Sequence, residues 1–307
     1  MNTRNEFSIS ILEVTHLHMA KVGLSTVKFR DNGNGRKYSD LTYAILGDMK
    51  AFDIECTQIF THGPRTTSAN NLDRVSIAKL ASNKFPIYCH TCYACLPWND
   101  EIYRLKLCES EMKAAAECKA RGVVIHLPID TVDNIYKHMV KITKIAEKYK
   151  VLAIIEPPAR KTRPGKTFES TDVINALTEK LLDLPNWKWC LDTAHIWSTG
   201  GNIRNYEDAK NWLKALKYPK TIELFHLNGS HRVLASGNDK HAVPFLESGA
   251  AGPDLLWGNF EDLNLSGGYV FIRYAKKYGI NMILESNFGT DAEILESIEA
   301  VKKIRSL

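Results

Sequence analysis

A (β/α)8 barrel of the α/β class follows from two patterns in the 307 residues. Short apolar runs rich in Val, Ile and Leu alternate with helical stretches, and such runs read as buried parallel strands. Nearly all of the later runs also close on, or are shortly followed by, a residue able to bind a metal ion. These are His90 in FPIYCH, His126 in GVVIHLP, Glu156 in VLAIIEPP, Asp192 and His195 in WCLDTAH, and His226 in TIELFHLN. Asp239 and His241 follow in GNDKHA, and Glu285 closes NMILES. In a barrel of this kind the strand C-termini converge on one face and build the active site.

The βα rhythm starts after residue 20, so 1–20 reads as an N-terminal extension and 21–307 as a single barrel domain. Strand one is expected over 21–27, a helix over 38–52, and strand two over 54–60, ending near Thr61 and His62. A helix over 72–82 leads to strand three at 86–90. The long amphipathic stretch 101–121 reads as a helix stopped by Gly122, and strand four follows at 123–126. Helix 132–149, strand 151–156, helix 171–184 and strand 187–192 continue the alternation. Helix 205–216 and strand 221–227 come next, then an irregular stretch at 228–254. A loop of that length is uncommon and usually functional, and this one carries Asp239 and His241. Helix 260–278, strand 281–285 and helix 291–304 close the barrel.

With 44% hydrophobic and 24% charged residues, the composition is that of a globular protein with a full core. No apolar run approaches the roughly 20 residues of a membrane span. The N-terminus lacks an apolar stretch ending in a small-residue cleavage site, so an intracellular, cytoplasmic setting is expected, with nucleus or virus particle as alternatives. Seven cysteines with no secreted spacing agree with a reducing compartment. A net charge of +5 permits nucleic-acid binding without demanding it.

A lone histidine at a strand end is usually structural; the argument here rests on the set. His, Asp and Glu are the usual ligands of zinc and related divalent ions. Nine of them are too many for one ion, and a polynuclear site suggests phosphoester hydrolysis. The D-x-x-H pair Asp192/His195 lets a strand end and the next turn serve two neighbouring ions. The D-x-H pair Asp239/His241 points both side chains one way in extended chain. Glu156 and Glu285 end buried strands, where an unpaired carboxylate is costly and a metal removes the cost.

This pattern resembles the endonuclease IV family of apurinic/apyrimidinic endonucleases over about residues 21–305. CLDTAHIWSTG is similar to the family's C-x-D-T-x-H-x-x-x-x-G signature, and FHLNGS with NDKH is similar to HLND-S with VDRH. IFTHGPR and HTCY resemble the FTKN-R and H-x-x-Y segments. The resemblance implies a barrel of the endonuclease IV and xylose isomerase-like type holding three divalent ions, zinc for the most part, with manganese an alternative at one position. His90, His126 and Glu156 would hold the first. Glu156 would bridge to the second, held with Asp192, His226 and Glu285. His195, Asp239 and His241 would hold the third. It further implies attack by a cation-activated water on the phosphodiester 5′ to an abasic site in double-stranded DNA, leaving a 3′ hydroxyl and a 5′ deoxyribose phosphate. Blocked 3′ ends would be cleared at the same site, in base excision repair. Glu156 and Glu285 would be catalytic as ligands. Tyr93 matches an aromatic that enters the duplex, Arg65 a basic residue at the same interface, and Lys240 stands where the family has arginine. Gln58 and Asn228 resemble polar residues near the pocket. A monomer is expected.

The sequence also departs from the family. Glu156-Pro157-Pro158 replaces Glu-Asn-Thr, Gly229 replaces the aspartate of HLND, and Gly23-Leu24-Ser25-Thr26 lacks the histidine-serine segment. Ala242 to Phe245 replace the histidine and glycine pattern beyond VDRH. These changes spare the ligands and mark a divergent branch, such as one carried by a large DNA virus or an unusual microbe. Cys89, Cys92 and Cys95 around His90 read as buried or loop thiols, against a thiol metal site, an iron–sulfur cluster or a redox disulfide. The basic stretch 160–166 reads equally as a solvated loop or a phosphate contact. Two other functions compete: a sugar isomerase or epimerase on the same barrel, which needs only one or two ions, and a DNA-binding module without catalysis.

Overall fold

The structure, a computed structural model, describes residues 19–25, 54–62, 67–69, 73–82, 85–99, 101–159, 168, 170–245, 255–257, 263–285 and 291–307. The expected helix at 38–52, Arg65, the basic stretch 160–166 and most of the N-terminal extension lie outside these residues.

The chain forms a TIM barrel. Its strands are β1 (Val22–Ser25), β2 (Cys56–Phe60), β3 (Ile87–His90), β4 (Gly122–His126), β5 (Leu152–Glu156), β6 (Trp187–Asp192), β7 (Ile222–His226) and β10 (Asn281–Leu284). All pair in parallel, and β10 closes the ring between β7 and β1. Helices α1 (Arg74–Ser82), α2 (Ile102–Glu117), α3 (Val132–Tyr149), α4 (Thr171–Leu181), α6 (Tyr206–Lys214), α7 (Gly267–Tyr278) and α8 (Asp291–Ser306) follow the strands in turn. A short helix, α5 (Thr193–Thr199), continues directly from β6, and β8 (Gly229–Ser230) pairs antiparallel with β9 (His241–Ala242). Among the described residues no helix is long and apolar enough to cross a membrane.

The helices form where caps and apolar spacing agree. In α3 the Thr131 side chain accepts from the Asn134 N–H, and Ile135, Met139, Ile142 and Ala146 recur at three- and four-residue intervals on the buried face. The end of α2 corrects the sequence expectation. The helix stops at Glu117, with Lys119 left-handed at φ 53°, and Gly122 opens β4 instead. A Cβ at Gly122 would stand 2.7 Å from the Leu152 carbonyl oxygen, so its role is close approach of two strands.

One residue from each of seven strands fills the barrel interior: Cys56, Tyr88, Val124, Ile154, Cys190, Leu224 and Ile283. Below this layer a polar network closes the N-terminal end. The Tyr88 hydroxyl donates to Glu223 Oε1 at 2.8 Å, and Asn281 Nδ2 donates to the Tyr88 oxygen at 2.6 Å. Arg121 Nε donates to the same Glu223 oxygen at 2.7 Å. Side chains of alternate parity, such as Ile59, Cys89, Ile125, Ile155 and Phe225, pack outward under the helices. All seven cysteines are free and buried.

Candidate metal centre

Two residues beyond each interior-layer position, the strand has advanced one pleat repeat toward its C-terminal end and faces inward again. Those positions hold Gln58, His90, His126, Glu156, Asp192, His226 and Glu285. The interior register therefore delivers six ligand-type residues and one glutamine to the barrel mouth.

The remaining three come from connections. Asp192 ends β6 and caps α5, its Oδ1 accepting from the N–H groups of Ala194 and His195 at 2.6 and 3.0 Å. The cap sets the helix, and its first turn carries His195 back to the mouth. Gly200, left-handed at φ 119°, ends α5 after two turns. Pairing of β8 with β9 sets His241 opposite Ser230. The intervening loop is pinned to α5, with Trp197 Nε1 donating to the Arg232 carbonyl at 2.8 Å and Gly237 N to the Ser198 carbonyl at 2.8 Å. The stretch expected to be irregular at 228–254 thus contains a small antiparallel pair that supports Asp239 and His241.

Among the described residues four overlapping groups gather their ligand atoms within 4.8 Å: His90, His126 and Glu156; Glu156, Asp192, His226 and Glu285; Asp192, His195 and His241; and Glu156 and His226 with the buried Cys190 beneath them. Glu156 Oε2 lies 3.0 Å from His126 Nε2 and 3.5 Å from His90 Nε2. His226 Nδ1 faces Glu156 Oε1 at 2.8 Å, Glu285 Oε2 at 3.0 Å and Asp192 Oδ2 at 3.7 Å. Asp239 joins the third group, 2.9 Å from His241 Nε2 and 3.4 Å from His195 Nε2.

Their orientation is that of a ligand set. His90, His195 and His241 each direct Nδ1 at a backbone carbonyl, of Thr91, Pro157 and Glu285 respectively, all at 2.8 Å. An Nδ1–H donated to a carbonyl leaves the Nε2 lone pair facing the centre, the arrangement found behind metal-bound histidines. Glu156 Oε2 and His241 Nε2 are buried there without a hydrogen-bond partner, although charged groups surround both. Buried polar atoms left in that state are costly unless something else contacts them. The donor set, imidazole with carboxylate, suits zinc and related divalent cations.

Electrostatics agree. Burial pushes the imidazolium of His195 down, but Asp192, Glu156 and Asp239 outweigh it and hold its pKa well above the ordinary value. Burial likewise opposes His241, which Asp192, Asp239 and Glu285 raise to about 10. Burial would lift Glu285, yet His226 holds it down at about 2. Asp239 is depressed by His195 and His241 against the same burial. Asp192 goes the other way, raised by its own desolvation. The carboxylates thus hold positive charge at the site, as protons on imidazole where no cation is bound.

Around this centre, Tyr93 is 55% exposed at the mouth, its ring centroid 6.3 Å from His90 and 6.2 Å from His126. Lys240 is exposed between Asp239 and His241. Asn228 donates from Nδ2 to Asp192 Oδ2 at 2.7 Å and accepts the Glu285 N–H at 2.8 Å. Sequence reasoning missed Glu111, fully buried on α2, which accepts from Thr61 Oγ1 at 3.1 Å and the Cys92 N–H at 2.9 Å. It ties together the loops after β2 and β3. Its signal was a carboxylate on the same helix face as the apolar Cys108, Met112 and Ala115. Burial pushes the Cys92 thiol up to about 12 and raises Cys89 as well, which disfavours the thiolate at both.

A closed parallel barrel with ligand-type side chains at its C-terminal mouth is a class known from other proteins. Residues 47–267 match the family model described as a xylose isomerase-like TIM barrel, and the chain belongs to that family. The "Probable AP endonuclease" of African swine fever virus (isolate Pig/Kenya/KEN-50/1950) is 28% identical over 264 residues, covering 82% of this chain and 86% of the viral one. The structure described as "The crystal structure of AsfvAP:AG" superposes with a TM-score of 0.80 at 25% identity, covering 94% of this chain and 99% of that one. Endonuclease IV from Thermus thermophilus follows with a TM-score of 0.68 at 19% identity, covering 93% and 99%. A D-tagatose 3-epimerase-like protein shares the fold at a TM-score of 0.61 and 16% identity, covering 93% and 97%. The motif resemblance to the endonuclease IV family thus extends along most of the chain, as a divergent member.

Proposed function

We propose that this chain is a metal-dependent endonuclease that hydrolyses the DNA phosphodiester 5′ to abasic sites. It leaves a 3′ hydroxyl and a 5′ deoxyribose phosphate, and it also clears blocked 3′ ends. The observation that carries the reading is the third group. His195, His241 and Asp239 stand beside a Glu156/Asp192/His226/Glu285 quartet that would serve a sugar isomerase or epimerase by itself. A sugar enzyme has no use for the surplus trio; three positions suit the attacking, non-bridging and leaving oxygens of an in-line phosphoryl displacement. The names of the viral relative and of the AsfvAP and endonuclease IV structures support the same reading.

In this reading His90, His126 and Glu156 hold one divalent ion, Glu156 with Asp192, His226 and Glu285 a second, and His195, Asp239 and His241 a third. Zinc is the expected metal. Such ions supply hydroxide at neutral pH and neutralise charge on the phosphate. The chain's own part is placement. Glu156 spans two groups and fixes their separation. Asn228 holds Asp192 and the Glu285 backbone in register. Tyr93, exposed beside His90, enters the duplex and helps keep the extruded abasic sugar at the mouth. Lys240 contacts phosphate as a point charge, and Arg65 serves the same interface. The enzyme works as a monomer where DNA is found, inside a cell or a virus particle.

The test is incision of a labelled duplex carrying one tetrahydrofuran abasic analogue, with and without prolonged chelation. The analogue cannot undergo β-elimination, so cleavage reports hydrolysis alone. Chelator-sensitive cleavage on the 5′ side is expected. No cleavage by metal-loaded protein, together with turnover of a ketose or aldose, would transfer the assignment to the sugar enzymes.

A further inference from the structure

Gln58 stands apart from its neighbours. It occupies on β2 the same inward position that a ligand-type residue occupies on β3, β4, β5, β6, β7 and after β10. It is fully buried and uncharged. Its Nε2 donates to Glu285 Oε1 at 2.5 Å, and its Oε1 lies 2.8 Å from His226 Nε2.

These contacts leave one consistent assignment. An ionised carboxylate only accepts, so the amide must turn its NH2 to Glu285. The amide oxygen then faces His226, and an oxygen there requires a proton on Nε2. Nδ1 is left as the ring's ligand atom, pointing at Glu156 Oε1, Glu285 Oε2 and Asp192 Oδ2. His226 is thereby the reverse of His90, His195 and His241, whose Nδ1 atoms face backbone carbonyls and whose Nε2 atoms face the centre. No carbonyl of the chain reaches the Nε2 end of His226 among the described contacts; the Gln58 side chain does that work. The same amide ties up Glu285 Oε1 and leaves Oε2 toward the shared centre.

We propose that Gln58 is a positioning residue of the second metal position: through one amide it fixes the tautomer of His226 and the orientation of Glu285. The inference rests on the metal-centre reading above. A single rigid plane carrying donor and acceptor does this without adding charge to a site already rich in carboxylates. A methionine at 58 keeps the volume and offers neither bond. A glutamate keeps the acceptor for His226 and removes the donor for Glu285.

The experiment is a zinc titration of wild type, Gln58→Met and Gln58→Glu against a competing chelator, with 15N-detected histidine ring spectra of the zinc-loaded proteins. In wild type, His226 is expected to carry its proton on Nε2 and bind through Nδ1. In Gln58→Met one zinc should bind about 10- to 100-fold more weakly while the others hold, the usual cost of losing an outer partner of a ligand. The His226 Nε2 proton should also exchange faster. In Gln58→Glu the ring signature should persist while affinity at the same position falls. If Gln58→Met does not fold, Gln58→Glu decides alone. Wild-type zinc affinity in every variant that folds, or a His226 ring protonated on Nδ1 in wild type, overturns the proposal. A positioning effect in a protein that fails to cut abasic DNA would leave Gln58 standing and remove the nuclease. Abasic cleavage with no effect at position 58 would do the reverse.

Discussion

His90 and His126 present their Nε2 atoms to each other at 3.2 Å. His90 has committed Nδ1 to the Thr91 carbonyl, so its Nε2 turns a lone pair toward His126 and Glu156. Two imidazole nitrogens and a carboxylate at this separation need a positive charge among them, a proton or a cation. Cation uptake must therefore displace protons. In the ion-free protein the imidazoles of His195, His226 and His241 are all raised, His241 to about 10. Raised folded-state pKa values contribute stability that is complete below the unfolded histidine value of about 6.5 and fades as pH climbs through the folded value. Zinc stabilisation runs the other way, since it needs the unprotonated rings. The increase in Tm on adding zinc is expected to be small near pH 5.5 and to grow toward about pH 8. Calorimetry of loaded and chelated protein checks this; a pH-independent increase would mean that these histidines do not bind the ion.

Glu285→Gln removes one negative charge from the second group while keeping its shape. The backbone N–H of residue 285 still reaches Asn228, so the fold should survive. Incision of the abasic analogue should fall by roughly a hundredfold or more, at least the loss expected from disturbing an outer partner of a ligand. Circular dichroism and metal content separate this effect from unfolding. Wild-type cleavage by the variant would remove Glu285 from the centre.

At the opposite end of the barrel, Tyr88→Phe should cost stability and spare activity. It strands the Asn281 amide N–H under the interior layer and takes one of two donors from Glu223 Oε1, which keeps Arg121. Stranding buried polar groups costs about 1–3 kcal/mol. Polar groups at the N-terminal end of a barrel serve stability, while chemistry sits at the other end. Denaturant melts and incision rates measured together test the separation; a large loss of rate at unchanged stability would contradict it.

The barrel was legible because the strands from β3 onward announce themselves twice, by an apolar run and by the ligand-type residue that ends or follows it. β6, Trp187–Asp192, and α3, Val132–Tyr149, appear where the sequence places them, since burial and capping agree locally. The end of α2 was misread because glycine has two uses, and at 122 the approach of Leu152 decides which applies. α5 was missed for a related reason: Asp192 reads as a ligand, and only the structure shows it also capping Ala194 and His195. Gln58 was visible only faintly. Its role depends on an inward register shared with His90 and Glu156 across β2, β3 and β5, and strand register across a barrel is a non-local property. Glu111 showed only as a carboxylate on an apolar helix face, and its partners Thr61 and Cys92 lie on other connections for the same non-local reason.

Tyr93 offers the cleanest separation of binding from chemistry. Its ring stands edge-on to His90 and Phe60 at centroid distances of 6.3 Å, yet more than half of the residue is exposed, and nothing in its position makes it a ligand. Under the proposed function, a large aromatic held half out of a charged mouth would stack where a base or sugar has left the duplex. Tyr93→Ala should therefore keep wild-type zinc content and weaken preference for abasic over intact duplex by roughly five- to a hundredfold, the range of about 1–3 kcal/mol for one aromatic–base contact. Competition binding with the two duplexes, alongside metal analysis, reads both quantities. An unchanged preference would confine Tyr93 to packing against His90. A loss of zinc would instead make the ring part of the wall that holds the first group together.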